Sequence, residues 1–353
     1  MRFNLNQIEK EMFESLFKQH ELNIDYFLQI ANILLENSAI LSPNQIESIK
    51  GKEPFDKRKI FFEQLFLKHP PKNAFINKEM MWDTTLLSTN QLINDPYYVA
   101  LKNLSFEEDG WSLKKKTIKP YSIFPYQEEY HYGPNFNIKM GLGLFDEEYI
   151  YPSLCLYDTE WMSLNPHEIR TMEVPITTAK GKVLTLGLGL GYFAYMAHLK
   201  EEVKEIHIVE MDIGLINLFN KYLLPLFPYP NKIHIHKADA FYFVNQIKDK
   251  DYDFIFADLW HSTNDGLECY INLLRTFSSF KYTQVHYWIE GAIITFLRTL
   301  VIGVIKDEYY AINNEYEDLQ KLIKSNLEDL TLNNTYDFDN LLNIRGLKNI
   351  VTK

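Results

Sequence analysis

Cysteine is almost missing from this chain: Cys155 and Cys269 are the only two among 353 residues. Two thiols build neither a disulfide framework nor a thiolate metal cage, and their scarcity suits a reducing compartment. Long apolar runs are missing too. The longest, from Gly291 to Ile305, spans 15 residues with Arg298 at its middle, short of the ~20 that a membrane span needs. The opening MRFNLNQIEKEMFESLF breaks every apolar stretch with an acid, so it holds no signal-peptide core and the mature protein is expected to begin there. Positive charge is in deficit, 36 Lys+Arg against 47 Asp+Glu for a net −11, and that balance repels the phosphates that dominate nucleic-acid affinity. These absences describe a cytoplasmic, soluble protein with no membrane partner and no general nucleic-acid partner. The length suits about two domains, each able to bury a core. Aromatic residues are plentiful at 15%, with 23 Tyr and 24 Phe, enough for an aromatic core or a stacking surface.

Three segments differ in texture. Residues 1–118 are expected to form a helical domain, because Ile8, Met12, Leu16 and then Phe27, Ile30, Leu34 recur at three- and four-residue spacings. Within it, Ser42-Pro43 followed by Glu47 reads as a capped helix start. Residues 119–166 carry short apolar runs (YSIF, MGLGLF, YIYPSLCLY, EWMSL) that read as strands and hairpins. The tract Lys114-Lys115-Lys116 reads as a solvated face. Residues 167–353 alternate strand and helix, with strands over 183–188, 206–211, 232–238, 252–259 and 285–290 and only helical periodicity after Glu290. Parallel strands need a helix-length return, so the fold class is α/β, a doubly wound, mostly parallel sheet.

In such sheets ligands bind beyond the carboxyl ends of the strands, near the reversal of strand order. The first strand runs into Gly187-Leu188-Gly189-Leu190-Gly191-Tyr192. The spacing is G-x-G-x-G, because Tyr192 stands where the dinucleotide fingerprint has its third glycine, and it suits backbone laid against a ligand without a pyrophosphate. The second strand ends in Glu210-Met211, about 20 residues on, where a carboxylate can accept from two ribose hydroxyls. Met211 can cover an adenine face. The third runs into Asp239-Ala240, an acceptor for an exocyclic amine, and the fourth ends at Asp258 before Trp260-His261. His261 is a candidate general base, Asp258 a group that orients acceptor or donor, and Glu290 a second acidic candidate. Tyr192 and Trp260 are candidates to line an acceptor pocket. His234 and His236 share one strand face as two metal ligands would, but no third ligand lies at a recognisable spacing, so no metal is expected.

Taken in order, these residues resemble the class I S-adenosylmethionine-dependent methyltransferases, and within that Rossmann-like fold the spermidine synthase-like branch. The likeness is clear over roughly 181–290 and fainter over 140–180. It implies S-adenosylmethionine as donor, with Gly187, Gly189 and Gly191 at its methionine moiety, Glu210 at the ribose and Asp239 at the adenine. Glu168-Ile-Arg-Thr-Met-Glu173 is similar to the E-x-x-Y-x-E that precedes the sheet in spermidine synthases, with Thr171 in place of the tyrosine. Thr185 stands where methyltransferases often have an acid; Leu190 and His261 stand where aminopropyltransferases have aspartates. The resemblance therefore implies a methyltransferase acting on a small-molecule or protein acceptor. Transfer of an aminopropyl chain and a non-catalytic nucleotide-binding protein stay open as alternatives. The helical half is expected to cover the pocket or to mediate a homodimer.

Overall fold

A computed structural model describes residues 1–36, 39–133 and 136–353. Its centre is a five-stranded, wholly parallel sheet: β1 (Gly181–Leu186), β2 (Val203–Glu210), β3 (Ile233–Lys237), β4 (Phe254–Ala257) and β5 (Gln284–Tyr287), in the spatial order β3-β2-β1-β4-β5. The central strands read as unbroken apolar runs because both faces are covered. Val183, Leu184 and Leu186 of β1 and all four residues of β4 are buried. Between the strands run α1 (Tyr192–His198), α2 (Ile213–Leu218), α3 (Ala240–Val244) and α4 (Thr263–Thr276). The strand order reverses between β1 and β4. Register fixes the consequence: Leu186 lies opposite both Val209 of β2 and Ala257 of β4, so Gly187, Glu210 and Asp258 leave the sheet in one row.

This agrees with the α/β reading, with one difference at the sheet's far end. β5 stops at Tyr287, and the left-handed backbone of Ile289 (φ 45°) turns the chain straight into α5 (Glu290–Tyr309). Glu290 thus opens a helix, where an acid is favoured by the helix dipole, and does not end the fifth strand. Among the described residues no sixth or seventh strand joins the sheet.

The N-terminal half holds more strand than its periodicity suggests. Helices Gln7–Glu36, Pro43–Ile49, Pro54–Lys68 and Ala74–Asp83 come first, and the second is capped by Ser42 as expected. Strands then begin at Thr84–Leu87, Phe106–Glu108 and Trp111–Ile118, inside the segment read as helical. Their partners lie far along the chain: Thr84–Leu87 pairs with Asn137–Phe145, and Trp111–Ile118 with Tyr149–Leu156. A local periodicity window cannot register such pairings. Lys114 pairs with Asp158, and Lys116 with Glu160 at 2.9 Å, the solvated face expected of that tract. Among the described residues no helix is long and apolar enough to cross a membrane.

The first helix belongs to two cores. Tyr26, Ile30 and Ile33 pack with Phe61, Phe62 and Leu142 in an N-terminal cluster, whereas Phe13, Leu16 and Phe17 join the core around the parallel sheet. Phe13 lies 4.7 Å from Phe338 and stacks on Tyr309 of α5 at 6.3 Å. Replacing Phe13 by alanine is expected to cost about 3–5 kcal/mol. Because that ring bridges the first helix to the sheet's own core, urea unfolding followed by tryptophan fluorescence should shift as a whole. A shift confined to helix loss, with the α/β transition unmoved, would contradict the shared core.

Candidate functional site

The turn after β1 is shaped by positive φ angles at Gly187 (95°), Gly189 (49°) and Gly191 (83°). A Cβ on Gly187 would lie 2.1 Å from the Asp258 carbonyl oxygen, and one on Gly189 2.2 Å from the Met162 sulfur. Glycine is therefore required at both positions by contact as well as by conformation. Met162 also accepts a hydrogen bond from the Leu190 amide at 3.0 Å, docking the strand Thr159–Ser163 onto the turn. Gly191 serves packing, since a Cβ there would meet the Phe219 ring at 2.8 Å. Tyr192 turns away as well: it is buried, and its hydroxyl donates to Asp95 at 3.0 Å.

A cavity of about 670 Å³ opens at the strand ends, lined by Gly187, Gly189, Glu210, Met211, Asp239, Ala240 and Asp258. Gly191 and Tyr192 are not in its wall. Glu210 is held by three backbone amides, those of Leu188 (3.2 Å), Met211 (2.8 Å) and Asp212 (2.9 Å). A carboxylate offers about four acceptor sites, so this one is fixed in place with capacity to spare. Asp239 caps α3 by accepting from the Tyr242 amide at 2.8 Å through Oδ1, which leaves Oδ2 for the cavity. Met211 is exposed and Ala240 buried beside them.

Asp258 and Glu168 are the electrostatically strained pair. Each keeps some surface toward the cavity while the protein encloses it on the other sides. Burial lifts the Asp258 carboxyl from 3.8 to about 7. Burial, and then the charge of Asp258, raise Glu168 well above the carboxylate range, and Glu168 Oε2 has no hydrogen-bond partner. Glu168 is delivered by the short helix Pro166–Thr171, whose Asn165 cap accepts from the Glu168 amide at 2.9 Å. It was legible only as the first residue of the Glu168–Glu173 motif, with nothing in the sequence to show that it faces Asp258.

A second cavity, about 590 Å³, adjoins the first, and Glu168, His261 and Trp288 line both. His261 is half-exposed; its Nδ1 and its backbone amide lie 3.3 and 3.0 Å from Asp265 Oδ2, and Trp161 meets its ring edge-on at 4.7 Å. Trp260 is buried in the wall of the larger cavity. Cys269 also borders it, but burial pushes its thiol up to about 11, so it is no nucleophile near neutrality. Glu290 lines neither cavity. Its carboxylate accepts from the Tyr270 hydroxyl at 2.6 Å and pairs with Lys348 at 2.7 Å, apart from the other residues singled out as catalytic candidates.

No family model matches the chain, and no curated protein matches it. Among solved structures the chain is similar to spermidine synthase from Thermotoga maritima, at 16% sequence identity and a TM-score of 0.32, over 56% of this chain and 62% of that one. It is also similar to a spermidine synthase in complex with the transition-state analogue AdoDATO, at 14% identity and a TM-score of 0.33, over 56% of this chain and 63% of that one. The matched part thus spans less than two thirds of the length of either.

Proposed function

We propose that this protein is an S-adenosylmethionine-dependent transferase that moves a methyl group to a small-molecule acceptor. The observation that carries the reading is the convergence, on one cavity, of the glycine turn after β1 with carboxylates from the exits of β2, β3 and β4. The donor set fits the group. Glu210 is pre-fixed with one acceptor site left for a ribose hydroxyl, Asp239 Oδ2 is available to an exocyclic amine, and Met211 can cover an aromatic face. When bound, the sulfonium supplies an electrophilic methyl carbon and its own leaving group.

The chain's contribution is then alignment and proton handling. Asp258 and Glu168 stand where burial disfavours their charged forms, so a cationic ligand in the cavity relieves them. At the junction of the two cavities, His261 is tethered by Asp265 at Nδ1 and keeps Nε2 for the acceptor's proton. The size of the second cavity, about 590 Å³, falls in the range of small-molecule pockets and favours a small-molecule acceptor.

Transfer of an aminopropyl chain is the second reading, and one observation favours it. Glu129, raised by burial, and Glu168 both border the second cavity, a setting for a cationic amine acceptor. Leu190, buried in the turn, offers no carboxylate to a decarboxylated donor.

Calorimetry separates these readings. Micromolar binding of S-adenosylmethionine and S-adenosylhomocysteine is expected, weakened at least about tenfold in Glu210→Ala, since a hydrogen bond to a charged group contributes ~1.5–3 kcal/mol. Equal affinity in the variant would remove the ribose from Glu210, and a preference for the decarboxylated donor would move the reaction to the second reading.

Asp258 gives a pH signature. Its folded value is raised from 3.8 to about 7, so the native chain keeps a proton that the unfolded chain releases, and stability is lost as pH rises through that window. Relative to wild type, Asp258→Asn should therefore be more stable at pH 8 than at pH 5, by urea denaturation. A gap that stays constant between the two would remove the ionisation assigned to Asp258.

A further inference from the structure

Away from both cavities, the pairing of β2 with β3 gathers four groups that chain order keeps apart. His207 stands directly opposite His234 in register, and Glu205 precedes His207 by two residues on the same face of β2. His236 follows His234 by two on β3. His207 Nε2 and His234 Nε2 lie 3.6 and 3.7 Å from the same oxygen, Glu205 Oε2. One ligand atom from each of the three residues falls within 4.8 Å of the other two. Around a tetrahedral ion bound at ~2.0–2.2 Å, ligand atoms sit about 3.3–3.6 Å apart, and the separations of 3.6 and 3.7 Å lie at the upper edge of that range.

The nitrogen atoms are arranged for ligation. His207 Nδ1 is 2.8 Å from His236 Nε2, while His207 Nε2 is buried and has no hydrogen-bond partner. With the proton on Nδ1 donated to His236, the lone pair on Nε2 is bare and aimed at Glu205 and His234. A metal-bound imidazole is oriented in this same way by a partner at its other nitrogen. Lys182 of β1 pairs with the other oxygen, Glu205 Oε1, at 3.2 Å and leaves Oε2 to the histidines. His234 is half-exposed, which gives an ion a way in and leaves a fourth position for water.

We infer that Glu205, His207 and His234 form a binding site for one late first-row divalent cation, with the ligand chemistry of Zn²⁺, on the face of the β2–β3 pair. Two imidazoles and one carboxylate suit zinc and its neighbours, not calcium or magnesium, which take oxygen ligands. None of the three residues lines either cavity, so the site is separate from the proposed donor site.

The test is equilibrium dialysis of the full chain against Zn²⁺ with metal counted by mass spectrometry, on wild type, His234→Ala, Glu205→Gln and His69→Ala. His69 pairs with Glu36 elsewhere on the surface and serves as a control for incidental histidine–carboxylate binding. Wild type and His69→Ala should each hold one Zn²⁺ per chain, with affinity at least tenfold weaker in His234→Ala and in Glu205→Gln. Because His234 is half-exposed, its loss should leave folding intact, and zinc should raise the thermal midpoint of wild type but not of His234→Ala. Absence of bound zinc in wild type, or equal retention by His234→Ala, overturns the site whatever the outcome of the donor titrations.

Discussion

The close approach between the end of β1 and the end of β4 is the constraint on which the rest of the site depends. Gly187 leaves so little room that a Cβ would lie 2.1 Å from the Asp258 carbonyl oxygen. Two hydrogen bonds tie the same point to its neighbours, from the Gly187 amide to Val209 and from the Asp258 amide to Leu186, both at 2.9 Å. The exits of three parallel strands are thereby drawn level, and the side chains that follow, Glu210 and Asp258, face one cavity from two sides of a glycine turn. A larger residue at 187 would force the strands apart and dissolve that row. The glycine is thus a geometric requirement of the sheet before it is a ligand contact.

Electrostatics adds a second layer. Of the carboxylates that border the larger cavity, three show that they are not equivalent. Glu210 takes three amide hydrogen bonds, whereas Asp258 has burial without compensation and Glu168 an oxygen with no partner. A fold selected for stability alone would have neutral side chains at 168 and 258, since an uncompensated buried carboxyl lowers stability near neutral pH. Their retention side by side makes sense if positive charge enters the cavity during function.

The parallel sheet was legible because its central strands are buried on both faces and therefore written as near-continuous apolar runs, β4 running straight into Asp258. What escaped is everything decided by register or by distant pairing. The strands at Thr84–Leu87 and Trp111–Ile118 draw their partners from residues beyond 136, so their own few residues carry too little pattern. Glu290 looked like a strand end until the left-handed Ile289 placed it in a helix. Tyr192 follows the glycine turn in sequence, but the first turn of α1 rotates it toward Asp95. His234 and His236 are visible as an alternation, but Glu205 and His207 become their neighbours only through the register of β2 on β3.

The division of labour between the halves follows from where the two cavities find their walls. The larger one is built mainly from strand exits of the parallel sheet, which any chain of this topology presents in the same place, with Glu160, Trp161, Met162 and Glu168 added from the layer ahead of it. The second takes Thr117, Ile118, Phe124, Pro125, Glu129 and Tyr151 from the two small sheets ahead of it, one antiparallel and one mixed. Met162, from the same layer, sits on the glycine turn itself, where its sulfur accepts the Leu190 amide. On the proposed reading, acceptor choice resides in the layer that is hardest to read from sequence; that layer meets the glycine turn at the Met162 thioether, while Tyr97 donates to the Leu190 carbonyl of the same turn at 2.6 Å. A ligand pressing on the turn must displace Met162 or pack against it, so occupancy of the larger cavity bears directly on the strand that leads to Glu168 and the second cavity.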